Sequence, residues 1–401
     1  PSFIPQLSEE FWENVDKLSL QEIAFEISNC LIGEDVPVDD LRKIIIQAID
    51  FEAPVVQVSG NIYCLELFHG TSIAFKDFGA RFMASIMSYF LRKSQQNINI
   101  LVATSGDTGG AVAQGFFEKD NISVTILYPK GKVSDIQEKQ LTTLGKNVKA
   151  LEIDGTFDDC QTLVKRAFLD EELKGRFSLA SANSINIARL IPQSFYYVAA
   201  YATLKKLGKK VVFSVPSGNF GNLTAGLLAF KMGMPVKTFI AATNVNKVVP
   251  EYLASGIYTP ISPSKSTISN AMDVGNPSNF PRMKALFGSS LEVIKEHIVG
   301  YFYNDDQTRI GIKELFSEYN YLTCPHSAIG YLALKDYFKE TSDTESIGIF
   351  LSTAHFAKFL PEMESTLGFT PEIPDRLSNL LEKTKVAVSL ASDFEDFKSY
   401  L

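Results

Sequence analysis

The chain has 401 residues, of which 45% are hydrophobic and 21% charged, a composition typical of a globular protein. Its length is sufficient for two or three domains. Its net charge of −8 and its pI near 5.3 argue against non-specific binding to nucleic acid or to an anionic membrane. No apolar run approaches membrane-spanning length and no signal peptide opens the chain, so we expect a cytoplasmic protein.

The chain starts at Pro1 without a methionine, and we expect residues to be missing in front of it.

Helices are predicted in the first part of the chain. The pattern "SLQE" (19–22) predicts a capping box before a helix, and "DDLRKIIIQAIDF" predicts a second helix. From residue 77, apolar residues recur at four-residue spacing (Phe82, Ile86 and Phe90), which predicts a further helix.

Beyond this helix, short apolar runs alternate with helical stretches. Strands are predicted at "INILVAT", "ISVTILYP", "VKALEID", "FSLAS", "KKVVFSVP" and "VKTFIAAT". The intervening helices include "SDIQEKQLTTLG", with a capping box from Ser134 to Gln137, and a long helix near 185–207 that Pro192 should kink or divide. Residues 246–290 are predicted to be the longest irregular region. The alternation predicts an α/β protein with parallel sheets covered on both faces.

Cysteine and histidine residues are dispersed and indicate no metal site. No two cysteines stand at metal-ligand spacing, so we expect reduced, mostly buried thiols at Cys30, Cys64, Cys160 and Cys324. The four histidines suggest no zinc site either.

One lysine stands inside an almost continuous apolar run, "LFHGTSIAFKDFGARF" (67–82). Apolar surroundings favour the neutral amine of Lys76, and a neutral amine is a nucleophile. The alternative is that Lys76 buries its stem and extends its ammonium group to water.

Two glycine-rich turns each follow an apolar strand and precede a helix: "ATSGDTGGAV" (103–112) and "PSGNFGNLTAG" (216–226). Such turns let several backbone N–H groups converge beside a helix N-terminus, so both are candidate anion cradles. The alternative is an ordinary strand-to-helix connection. Neither turn has the Gly-Lys-Ser/Thr ending of a nucleotide P-loop.

Two further polar clusters follow predicted strands. In "SANSINIAR" (181–189), Asn183, Ser184 and Arg189 could converge on an anion, or else Asn183 or Ser184 caps a helix that carries a surface arginine. In "LSTAHFAKF" (351–359), a small hydroxyl residue could reach the same cleft, or else cap a helix. A lysine in an apolar setting, phosphate cradles and a strand-end hydroxyl together suggest pyridoxal phosphate as the cofactor.

Five blocks of the sequence resemble those of the threonine synthase family of fold-type II pyridoxal-phosphate enzymes. They are "LFHGTSIAFKDFGARFMA", "ATSGDTGGAV", "SANSINIARL.PQ", "PSGNFGNLTAG" and "TAHFAKF", in family order from residue 67 to 359. The resemblance covers nearly the whole chain. It implies two open, parallel-type sheets flanked by helices. The implied domains are a helical N-terminal segment (1–55), a larger cofactor-binding domain (56–93 plus 185–401) and a smaller α/β domain at the substrate cleft (94–184).

The resemblance also assigns roles by position. Lys76 is similar to the lysine that holds the cofactor covalently, and Thr353 to the hydroxyl residue that faces the pyridine nitrogen. The cofactor phosphate would be bound by Ser217, Gly218, Asn219, Phe220, Gly221 and Asn222. The substrate phosphate would be bound by Asn183, Ser184 and Arg189. Ser105, Asp107 and Thr108 lie in the loop that the family places over the substrate and the cofactor ring, with Asp107 counted among the cofactor contacts.

The implied reaction converts the small molecule O-phospho-L-homoserine and water into L-threonine and phosphate. Two alternatives stay open: a phospho-lyase that releases 2-oxobutyrate, and a non-catalytic protein that binds pyridoxal phosphate or a phosphorylated amino acid. The chain departs from the family at Thr71 and Phe356, where proline is common. It also starts after a segment that family members usually carry, which contains a substrate-region motif.

Overall fold

The structure is a computed structural model that describes residues 4–183 and 186–401, apart from the side chain of Arg376. Its strands are β1 (Val55–Ser59), β2 (Ile62–Glu66), β3 (Ile98–Ala103), β4 (Ile122–Pro129), β5 (Val148–Asp154), β6 (Leu179–Ser181), β7 (Lys210–Pro216), β8 (Thr238–Thr243), β9 (Ile298–Phe302), β10 (Ser346–Ser352) and β11 (Val388–Ala391).

The first nine helices are α1 (Glu9–Asn14), α2 (Leu20–Ile32), α3 (Val38–Ala48), α4 (Lys76–Ser94), α5 (Asp107–Phe116), α6 (Asp135–Thr142), α7 (Phe157–Leu169), α8 (Glu171–Arg176) and α9 (Ile187–Leu204). They are followed by α10 (Gly221–Lys231), α11 (Val248–Ser255), α12 (Phe280–Leu286), α13 (Leu291–His297), α14 (Asp305–Tyr319), α15 (Pro325–Thr341), α16 (Leu360–Leu367), α17 (Asp375–Leu381) and α18 (Phe394–Tyr400).

Capping residues fix where several helices begin. The Ser19 hydroxyl accepts the Glu22 N–H while the Glu22 carboxylate accepts the Ser19 N–H, and Ser134 and Gln137 repeat this arrangement. Both predicted capping boxes are therefore confirmed. The predicted long helix is α9, which continues through Pro192 as one helix.

One compact unit comprises the chain up to Phe75 together with Leu190–Pro371. Its six-stranded sheet has the order β1-β2-β10-β7-β8-β9, and every pairing is parallel except β1 with β2. Helix α15 packs against β10 and β7, and the core between them includes Val212, Phe350 and Tyr331. The long apolar runs of these strands are explained by helices on both sides of the sheet.

The second compact unit comprises Lys76–Arg189 together with Glu372–Leu401. Its five-stranded sheet is parallel throughout, in the order β11-β5-β4-β3-β6. Alternate residues of β3 enter two different cores. Val102 packs with residues of α4 and α5, whereas Leu101 packs with residues of α7 and with Phe397 of α18. The predicted parallel sheets covered on both faces are confirmed.

Some expectations need correction or stay open. Residues 246–290 are not irregular throughout, because they contain α11 and α12; the irregular part lies between Gly256 and Asn279. The three predicted domains stay a prediction, since the compact units divide the chain at other places, after Phe75, Arg189 and Pro371. All four cysteines are free, and three of them are buried. None of the described helices is long and apolar enough to cross a lipid bilayer.

Candidate active site

Three of the sequence motifs leave one edge of the larger sheet. Strands β2, β10 and β7 are neighbours and run parallel, so their carboxyl ends lie side by side. The lysine segment follows β2, Thr353 follows β10, and the loop 217–222 follows β7. Ligands of open α/β sheets bind at this type of edge.

The segment 217–222 leads from β7 into the first turn of α10 in a conformation suited to an anion. Ser217 is buried, and its N–H donates to the Ala242 carbonyl at 2.8 Å. Phe220 adopts a left-handed conformation with φ of 61°, and α10 begins at the next residue. The first N–H groups of a helix have no acceptor within the helix, and they carry its positive end.

A close backbone approach requires glycine in this loop. A Cβ atom on Gly218 would lie 2.7 Å from the Met272 Cα and 2.9 Å from the Ala271 carbonyl oxygen. The Asn219 side-chain oxygen accepts the N–H and hydroxyl of Ser278, at 2.6 and 2.8 Å. The irregular segment 256–279 therefore supports the loop from outside.

Among the described residues, the side-chain amide of Asn222 has hydrogen-bond partners at its oxygen only. Its Oδ1 accepts the phenol hydroxyls of Tyr196 and Tyr197, each at 2.7 Å. Burial raises the pKa of both phenols well above the ordinary value, so they stay protonated and donate. The Nδ2 of Asn222 is buried and has no hydrogen-bond partner among the described residues.

This chemistry fits the phosphate and polar oxygens of pyridoxal phosphate. A glycine that admits no Cβ, a helix N-terminus and a buried amide N–H without an acceptor all favour an anionic, oxygen-rich ligand. Among the described residues, no group of three or more His, Cys, Asp or Glu could hold a metal ion.

Hydrogen bonds between the buried Asn244 and the half-buried Thr267 and Asp273 hold the irregular segment. Asn244 donates to the Asp273 carboxylate at 2.8 Å, and the Thr267 hydroxyl donates to it at 2.7 Å. Burial raises the pKa of Asp273 to about 6, against these hydrogen bonds, which lower it.

Thr353 is held by the start of helix α15. It is buried, and its N–H donates to the Ser327 hydroxyl at 3.1 Å. The neighbouring His326 accepts the N–H of Ala271 at its Nε2, at 3.1 Å. The first turn of α15 thus contacts both Thr353 and the segment that packs on Gly218.

The segment before Lys76 is strained. Ile73 is fully buried and has φ of 53°, a left-handed conformation that costs a β-branched residue roughly 1–3 kcal/mol. The Phe75 N–H donates to the Thr353 carbonyl at 2.8 Å, and the Ile73 carbonyl accepts the His355 N–H at 3.0 Å. Lys76 comes next, half-buried, as the first residue of α4.

In the second unit, Arg189 is not the surface arginine of the alternative interpretation. Only 1% of it is exposed, and its Nη1 donates to the Ala182 carbonyl at 2.5 Å. Burial lowers its pKa to about 10, whereas the Asp77 carboxylate favours the charged form, so the guanidinium stays charged at neutral pH.

The polar residues before Arg189 in the segment 181–189 differ in their structural roles. The helix-capping contact comes from Asn186, whose Oδ1 accepts the Ala188 N–H at 3.0 Å. Asn183 is half-buried, and Ser184 lies outside the described residues.

The loop after β3 lies at the same sheet edge as Asn183, because β3 and β6 are paired and parallel. The Thr104 hydroxyl accepts the N–H groups of Gly106 and Gly109, so these two are already used and cannot cradle a ligand. Asp107 is buried and accepts Gln137 Nε2 at 3.0 Å. Ser105 and Thr108 are half-buried.

Sequence reasoning missed several supporting residues. Tyr196 and Tyr197 lie in the predicted helix near 185–207, and the one available signal is that two adjacent buried phenols need hydrogen-bond partners. Ser327 and His326 carried no local signal, because their partners lie far away in the sequence.

Family models match the whole length of the chain. The model for pyridoxal-phosphate dependent enzymes matches residues 49–353, and those for the threonine synthase N terminus and C-terminal region match residues 1–49 and 327–401.

Individual relatives agree with these matches. The threonine synthase of Buchnera aphidicola subsp. Baizongia pistaciae is 44% identical over 403 residues, covering 100% of this chain and 92% of the relative. The crystal structure of threonine synthase from Escherichia coli has a TM-score of 0.92 and 43% identity, covering 100% of this chain and 92% of that one. The crystal structure of PLP-bound threonine synthase from Brucella melitensis has a TM-score of 0.92 and 34% identity, covering 99% and 91%. The chain belongs to the threonine synthase family of pyridoxal-phosphate-dependent enzymes.

Proposed function

We propose that this protein converts O-phospho-L-homoserine and water into L-threonine and phosphate, with pyridoxal phosphate as its cofactor. The observation that carries the proposal is the full-length family match, combined with the five sequence blocks that resemble those of the family. We also propose a cytoplasmic location, which agrees with the free cysteines.

Residues of the larger unit are proposed to hold the cofactor. The loop from Ser217 to Asn222 binds its phosphate through backbone N–H groups, and the buried Nδ2 of Asn222 donates to one of its oxygens. Thr353 faces the pyridine nitrogen with a hydroxyl, which, unlike a carboxylate, does not hold that nitrogen protonated. When bound, pyridoxal phosphate withdraws electrons from the substrate carbons and acidifies their hydrogens.

Lys76 is proposed to supply the base, and Arg189 with its neighbours the substrate-phosphate site. Lys76 would hold the cofactor covalently in the resting enzyme. Once the amino group of the substrate has replaced it there, the freed Nζ would take the α-proton and, after passing that proton on, a β-proton of the substrate by proximity. Arg189, with Asn183 and Ser184, binds the substrate phosphate, because a charged guanidinium forms strong, oriented hydrogen bonds with phosphate oxygens. Ser105, Asp107 and Thr108 close over the substrate, with Asp107 also near the cofactor ring.

Product analysis tests this proposal. The cofactor-loaded protein is mixed with O-phospho-L-homoserine, and amino acids, 2-oxo acids and phosphate are quantified. Threonine and phosphate in equal amounts support the synthase. Phosphate with 2-oxobutyrate and ammonia would instead identify a phospho-lyase, and no product at all would favour a non-catalytic binding protein.

A further inference from the structure

Lys358 is a buried lysine for which the proposed reaction has no use. It belongs to the short 3-10 turn Phe356–Phe359 after Thr353, and only 1% of it is exposed. Its Nζ donates to the carbonyl oxygen of Ser72 at 3.0 Å, in a fully buried contact. Burying an ammonium group is costly, so a lysine placed here needs a reason.

The contact lies in the strained turn that leads to Lys76. Among the described residues with positive φ, Ile73 is the only β-branched one. Such a conformation persists only where the surroundings hold it in place. The carbonyl that Lys358 binds belongs to the residue just before Ile73.

Hydrogen bonds connect this turn with the segment 353–358, and three of them bear on the position of Lys76. Two join backbone to backbone: Phe75 N–H to the Thr353 carbonyl at 2.8 Å, and His355 N–H to the Ile73 carbonyl at 3.0 Å. The third is made by the Lys358 side chain. It is the one contact of the three that a substitution can remove while the backbone pairs remain.

We propose that Lys358 is a positioning residue whose ammonium group holds the Ser72 carbonyl, and thereby fixes the strained Ile73 turn that sets the position of Lys76. This inference rests on the proposed role of Lys76 as the cofactor-bound base. Proton transfer depends steeply on the position of the base, whereas binding of the substrate phosphate does not involve this turn.

The test compares substitutions of Lys358 in the cofactor-loaded enzyme. Lys358→Met keeps an unbranched apolar side chain like the lysine stem and removes the donor. Lys358→Gln, which like methionine ends one bond short of Nζ, also loses the contact but keeps a polar group if the methionine variant does not fold. Lys358→Arg keeps a cationic donor. Lys237→Met is the matched control, because Lys237 also ties two segments together, through Asp343 at 2.6 Å.

For the methionine and glutamine variants we expect kcat to fall about 10- to 100-fold with KM within about 3-fold of the parent value. The pH midpoint of the cofactor's visible absorbance should move by more than about 0.5 unit, because the amine of Lys76 changes its surroundings. Lys358→Arg should show a smaller loss of kcat and a smaller shift of the absorbance midpoint. Lys237→Met should lower thermal stability and leave kcat and the midpoint unchanged.

Two results overturn the inference in distinguishable ways. Unchanged kcat and an unchanged absorbance midpoint in a folded methionine or glutamine variant would remove the positioning role and leave the proposed function intact. The premise that Lys76 is the cofactor-bound lysine is tested separately, by borohydride reduction and peptide mapping of the parent enzyme. A cofactor found on a lysine other than Lys76 would overturn both proposals.

Discussion

The backbone N–H of Phe75 donates a hydrogen bond to the carbonyl oxygen of Thr353 at 2.8 Å. The residue next to Lys76 is thus tied directly to the residue predicted to face the pyridine nitrogen. Two motifs that are far apart in the sequence form one local structure, with an isolated bridge between Ala74 and Ala354. Substitutions in either motif should therefore affect the other.

Replacing Lys76 should abolish the reaction. In Lys76→Ala the proposed base and the covalent attachment of the cofactor are both lost, so turnover and the visible absorbance of lysine-bound cofactor should disappear. Lys93→Ala, at the other end of α4, is the control and should leave both unchanged. Measurable turnover by Lys76→Ala would rule out the proposed mechanism.

Replacing Arg189 should affect phosphorylated ligands selectively. Arg189→Ala removes a buried, charged donor, so we expect the affinity for O-phospho-L-homoserine to fall by at least ~2 kcal/mol, roughly 30-fold. Binding of L-homoserine, which lacks the phosphate, should change little. Calorimetric titration of both ligands provides the comparison, and equal losses would exclude Arg189 from the phosphate site.

Adding one methyl group to the phosphate loop should weaken cofactor binding. In Gly218→Ala the new Cβ would meet backbone atoms of Met272 and Ala271, so either the loop or the opposing segment must shift. We expect a loss of ~1–3 kcal/mol in cofactor affinity, measured by fluorescence titration. Gly175→Ala is the control, since a Cβ there meets no atom within 4 Å.

Removing the two phenols that orient Asn222 should weaken binding of the cofactor and leave binding of the substrate nearly unchanged. The double change Tyr196→Phe and Tyr197→Phe leaves the buried Oδ1 of Asn222 without its donors, at a cost of about 1–3 kcal/mol. We expect weaker cofactor binding with little change in KM at saturating cofactor. Tyr303→Phe removes a phenol bond to Asp336 elsewhere in this unit and should leave cofactor affinity unchanged.

Asp273 should give stability a distinctive pH dependence. Burial raises its folded-state pKa from 3.8 to about 6, so the native state holds this proton more tightly than the unfolded chain does. The contribution of Asp273 to the free energy of unfolding therefore falls as pH rises between about 4 and 6, by on the order of 3 kcal/mol. Denaturant titrations of Asp273→Asn and the parent protein should show the variant gaining relative stability across this range. A constant difference would contradict the shifted pKa.

Local patterns in the sequence were sufficient for many elements of the fold. Apolar periodicity and capping boxes predicted α2, α4, α6 and the strands β3 to β8, because these signals depend on residues a few positions apart. The helix α11 was missed, since a proline-, serine- and asparagine-rich composition marks turns, whereas packing on β8 and β9 stabilises a helix there.

The site was predictable as a set of motifs and not as a structure. Resemblance indicated which residues to examine, but no local pattern shows that Arg189 is buried or that Ile73 is strained. The supporting contacts of Ser327 and Lys358 join residues that are distant in the sequence. Such pairings depend on topology, which a single sequence does not display.

The last residues of the chain have a consequence for synthesis. Strand β11 completes the sheet of the second unit by pairing with β5, and Phe394 and Phe397 fill the core on one face of that sheet. Most of this unit leaves the ribosome long before these residues do. Until β11 and α18 are synthesised, the edge of β5 is therefore unpaired and apolar residues on one face of the sheet are exposed to solvent. Such a state favours aggregation and chaperone binding.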